Sequence, residues 1–168
     1  IITVVPQVLL VLFLIRRRNR NELYGLQAIR VRGAISGLSI LLVLLTIAWA
    51  LSLLQTPVES DPTHLSIMSI TLIASGTLVT GYREELYFRS MLFRAVHIHQ
   101  DSAVLSGLLV SFIFAAGHVY QGAIAFAGTF AMALILQWHF IRYKNIHVVA
   151  IVHGVYNLII LLGGAYLA

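Results

Sequence analysis

Long apolar stretches separated by short polar ones make up the chain. A helix needs about 20 apolar residues to cross a bilayer. Residues 1–15 form one such stretch, and 34–54 (AISGLSILLVLLTIAWALSLL) form the clearest. A third begins at Leu65 and runs through LSIMSITLIASGTLVTG into a charged segment, TGYREELYFRS (80–90). Stretches at 103–119, 123–141 and 146–168 bring the total to six. Between them, QTPVESDPTH (55–64) is a polar loop with two prolines and two acids, and residues 16–33 are a strongly basic connection. The pattern predicts an all-α fold, a polytopic transmembrane helical bundle of about six spans. Residues 1–168 are expected to form a single domain with its chemistry in 80–160. Because Ile1 already sits in an apolar run, the chain is expected to lack its true N-terminus and any spans before it.

Composition sharpens the picture. Hydrophobic residues make up 60% of the chain and charged ones 10%, with a mean hydropathy of +0.93. Soluble domains have roughly 45–50% apolar and about 25% charged residues. With no cysteine, thiolate catalysis and thiolate metal sites are excluded. The net charge of +5 would point to nucleic acid in a soluble protein. Here position explains it. The eleven lysines and arginines, at 16, 17, 18, 20, 30, 32, 83, 89, 94, 142 and 144, all fall on one side of an alternating six-span topology, or within the third span near it. The opposite loops, 55–64 and 120–122, have none. By the positive-inside rule the basic side is cytoplasmic. RRRNR (16–20) reads as an anchor for lipid headgroups and not as a nucleic-acid contact. The expected setting is the plasma membrane of a bacterium or archaeon.

Ionisable groups inside spans are costly and mark function by default. Glu85 and Arg89 lie four apart and can pair on one helix face, while Glu84 is rotated by roughly 100° and faces elsewhere. One carboxylate is thereby neutralised and its neighbour left for a cavity. His118, ending FIFAAGH, lies four residues after Phe114, whose ring can shelter it from lipid. His153 and Asn157 are again four apart on the last span, where such pairs also serve as interhelical glue. His64, His97, His99, His139 and His147 read as interfacial and solvated. Tyr87 and Tyr156 flank these residues and read as packing residues, with the lining of a pocket as the alternative, and Gly122, Gly128 and Gly154 read as points of close helix approach. One tension is visible: His118 would stand roughly 22 Å from the start of its span but His153 only about 10 Å from the start of its own.

EELYFR resembles the EExxxR signature of the CPBP family of CAAX proteases and bacteriocin-processing (Abi) proteins. FAAGH resembles its second motif, FxxxH, and HGVYN its third, HxxxN. The three occur in the family's order over residues 84–157, with Ser90 where a glycine commonly follows the arginine. The resemblance implies intramembrane peptide-bond hydrolysis of membrane-associated, prenylated or leader peptides. It implies Glu84 as the base that activates water, His118 as a second holder of that water, and His153 and Asn157 as oxyanion donors, with Arg89 and Glu85 organising the site. It leaves metal open: Glu84, His118 and His153 would be the ligands of a zinc ion, although Asn157 fits an oxyanion donor better than a zinc ligand. Its partners would be a peptide or protein substrate and the lipid bilayer, with no nucleic acid.

Two other classes compete. A non-proteolytic membrane protein for bacteriocin immunity or peptide binding would keep the motifs as helix glue. A proton-coupled transporter would use Glu84 and Glu85, but such folds carry inverted internal repeats, and none is visible.

Overall fold

The computed structural model describes Leu9 and residues 25–54, 65–99 and 101–166, with side chains through Gly163. The first apolar stretch, RRRNR and the 55–64 loop therefore lie outside the described residues. Every regular element among those described is helical. In chain order they are α1 (Val31–Ser52), α2 (Ile67–Glu85), a π-helical segment (Leu86–Leu92), α3 (Phe93–His97), α4 (Ala103–Ala116), a 3₁₀ turn (Val119–Gln121), α5 (Ala123–Tyr143) and α6 (Ile146–Tyr166). α1, α5 and Ile146–Gly163 of α6 are long and apolar enough to cross a membrane. With apolar faces turned outward all round, as at Leu42, Trp49, Phe112 and Trp138, the bundle is that of an integral membrane protein.

α2, the π segment and α3 run on without a turn, as the unbroken apolar pattern predicts. What the pattern does not show is the change of pitch at Leu86, where the N–H of Phe93 reaches back five residues to the Phe88 carbonyl. α4 is also shorter than the expected 103–119 span. Gly117 ends it, and His118 folds back onto it: its Nδ1 donates to the Phe114 carbonyl at 2.9 Å, satisfying an orphan acceptor of the helix end.

α2 packs most closely on α6. A Cβ at Gly81 would lie 2.8 Å from the Ala150 carbonyl oxygen, and one at Gly154 would lie 2.9 Å from the Leu78 Cα. Gly128 likewise faces Leu51, but Gly122 has open space around it and instead adopts φ +97° as the N-cap of α5. Gly81→Val is therefore expected to force α2 from α6, lowering the melting temperature in detergent by several degrees. A Gly81→Val protein melting with the wild type would contradict this packing.

At one end, residues 25–30 are pinned to the α5–α6 turn. The Ile146 N–H donates to the Gly25 carbonyl, and the Asn145 amide to those of Gln27 and Ala28. Arg30, Arg32, Arg142 and Lys144 consequently gather at that end, and the Phe93–Phe140 contact brings Arg94 near it. His139 departs from the interfacial expectation: it is fully buried against Tyr143. One inward-facing position near a helix end suffices to bury it.

Candidate active site

The closeness of α2 and α6 sets the geometry of the charged residues. Glu85 is the last residue of α2, and Arg89 lies on the first turn of the π segment; both are fully buried. Arg89 Nε is 2.9 Å from Glu85 Oε2, an ion pair without good hydrogen-bond alignment. From α6, the Nδ1–H of His153 donates to Glu85 Oε1 at 2.9 Å. Glu85 is thus held between a cation and an imidazole, as a buried carboxylate must be.

Glu84 faces elsewhere, as its rotation on the helix predicts. It is part-exposed, its Oε1 lies 2.7 Å from Arg83 Nη2, and its Oε2 lies 3.8 Å from His153 Nε2. Glu84, His118, His153 and Asn157 all line one cavity of about 1150 Å³. Thr77, Thr80 and Tyr156 add polar groups to its wall, and Trp49, Met132 and Ile160 add apolar ones. Tyr156 is thereby a cavity residue as well as a packing one, whereas Tyr87 is exposed. Glu85 and Arg89 stand behind His153, away from the cavity surface.

Phe114 joins these groups. Its ring centroid lies 4.8 Å from that of His118, 5.9 Å from His153 and 4.9 Å from Phe88, and the Arg89 guanidinium sits 5.2 Å over it. Sequence reasoning gave it only the shelter of His118. Its contacts also show the two histidines brought level, so tilt or stagger of α4 against α6 absorbs the axial offset. Arg83, which counts in the sequence only as one of the basic positions, joins the site as the ion partner of Glu84.

The hydrogen bonds settle which nitrogens are available. His118 Nδ1 donates to a carbonyl, so in the neutral ring Nε2 is an acceptor. His153 Nδ1 donates to a carboxylate, leaving Nε2 toward Glu84. Among the described residues no group of three histidine, aspartate or glutamate side chains is placed to hold a metal ion. As arranged, Glu84, His118 and His153 do not form a three-ligand zinc site.

A buried, paired glutamate, a second glutamate at the cavity, two histidines and an asparagine are thus brought together from α2, the end of α4 and α6. The family model of type II CAAX prenyl endopeptidases, Rce1-like, matches residues 63–159, more than half of the chain. The chain belongs to this CAAX protease family, and membership implies intramembrane endopeptidase activity. No curated protein and no solved structure matches it.

Proposed function

We propose that the protein hydrolyses peptide bonds of prenylated or otherwise membrane-held peptides with a water molecule activated by Glu84. The observation that carries this reading is the shared cavity: Glu84, His118, His153 and Asn157 open onto it while Glu85 and Arg89 lie behind. A water between Glu84 and His118 Nε2 meets two acceptors, which orients both its protons away from the attacking lone pair. Glu84 takes one proton as the water adds to the scissile carbonyl, and delivers it to the leaving amine as the tetrahedral intermediate collapses. The Asn157 amide donates to the oxyanion. His153 does so when Nε2 carries a proton, with Glu85 on its far side offsetting the charge. Such donors in a water-poor site are worth roughly 2.7–4 kcal/mol each.

Because this mechanism needs no metal, cleavage by purified protein is expected to survive 1,10-phenanthroline and EDTA at millimolar concentration. Loss of activity that added zinc restores would contradict it. The apolar walls around Trp49 and Ile160 favour a lipid-bearing substrate, and the cavity's glutamate favours hydrolysis over mere peptide binding. The basic end, with Arg30, Arg32, Arg142 and Lys144, is proposed to be cytoplasmic. Single cysteines at 99 and 120 test it: only position 99 should react from the cytoplasmic side, and the reverse pattern would invert the topology.

A further inference from the structure

Some of the most deeply buried polar side chains lie away from the cavity. Arg89 Nη1 and Nη2 have no hydrogen-bond partner among the described residues, although the guanidinium is fully buried. On α4, Ser111 is fully buried and its Oγ is unpartnered. On α5, Gln137 is buried with both amide atoms unpartnered. These groups share one region. Gly107, Ser111 and Phe114 follow each other at intervals of four and three residues on one face of α4. At the lower end of that stripe a Cβ on Gly107 would lie 3.1 Å from Gln137 Cγ; at its upper end Arg89 sits over Phe114. Ser111 stands between them.

Their chemistry is complementary. The outer guanidinium nitrogens only donate, whereas the serine hydroxyl and the glutamine carbonyl accept. Buried polar groups in native proteins are almost always satisfied, by protein or by ordered water. A transmembrane interior makes an orphan costlier still.

We propose that Ser111 and Gln137, through enclosed water, are the outer hydrogen-bond partners of Arg89 and act as positioning residues for the Glu85–His153 pair. Arg89 is held from one side by Glu85 and from the other by this network. The network fixes the plane of the guanidinium, which in turn fixes the carboxylate that orients His153. The positional role rests on the protease reading; the network itself does not.

The test uses Ser111→Ala, Gln137→Met, the double variant and Ser111→Thr in the full chain. Each is purified in detergent and measured by thermal melting and by cleavage kinetics. Gln137→Met and Ser111→Ala are expected to lower the melting temperature. Each should lower kcat about tenfold, the scale of losing a group behind a reacting residue, with KM within about twofold. The double variant should lose less than the sum of the two, and Ser111→Thr, which keeps the hydroxyl, should recover most of kcat. If the groups are orphans, Gln137→Met should melt with or above the wild type, since an apolar replacement removes an unsatisfied amide. That result would overturn the network. Lower melting temperatures with wild-type kcat would overturn the positioning role. A wild-type protein that cleaves nothing would count against the protease reading, and the melts would still decide the network.

Discussion

Glu84→Gln is expected to leave the bundle intact and to cost peptide cleavage a factor of roughly 10²–10⁴. The substitution is nearly isosteric and removes only the charge that accepts the proton. Glu84 is part-exposed at the cavity, and its ion partner Arg83 is itself more than a third exposed, so releasing that contact costs little stability. The melting temperature should therefore stay close to that of the wild type while kcat collapses. A Glu84→Gln protein with full activity would end the hydrolytic reading and promote a peptide-binding role.

Arg89→Ala should fail differently. Arg89 and Glu85 are both fully buried, and removing the cation strands a carboxylate away from bulk solvent. Breaking a buried pair in this way costs about 3–5 kcal/mol. The variant should melt well below the wild type and lose activity as well, because Glu85 no longer holds His153. Pairing it with Glu85→Gln removes the stranded charge, so the double variant should melt higher than Arg89→Ala alone. If the double variant were as unstable as the sum of the two singles, the pair would not be coupled as the geometry indicates. Arg89→Lys should fall between, since a lysine keeps the charge but loses the planar fork.

Much of this architecture was legible in the sequence. The long apolar windows marked α1, α5 and α6, and four-residue spacing anticipated both the Glu85–Arg89 pair and the separate direction of Glu84. It also set His153 and Asn157 one turn apart on the same cavity. Other features leave no such trace. The π segment depends on a one-residue shift in backbone pairing, which leaves the apolar pattern unbroken. The true extent of α4 depends on His118 bonding to its own helix end instead of extending the span. Phe114 reads as one aromatic among many until tertiary packing places Arg89, His118 and His153 around it. The burial of His139, Ser111 and Gln137 is decided by which face of α4 or α5 meets a neighbour. In a uniformly greasy helix the hydrophobic pattern does not name that face.

The proposed mechanism turns on direct attack by a water that Glu84 activates. It is tested most directly by single-turnover cleavage of a prenylated peptide with a CAAX terminus, in ¹⁸O-labelled water with enzyme in excess. Mass spectrometry of both the released fragments and the protein reads the result. One ¹⁸O atom is expected in the newly formed carboxylate on the first turnover, and none in Glu84. A first-turnover product without label, with ¹⁸O appearing instead in the Glu84 carboxylate, would contradict it by showing that Glu84 had acted as a nucleophile.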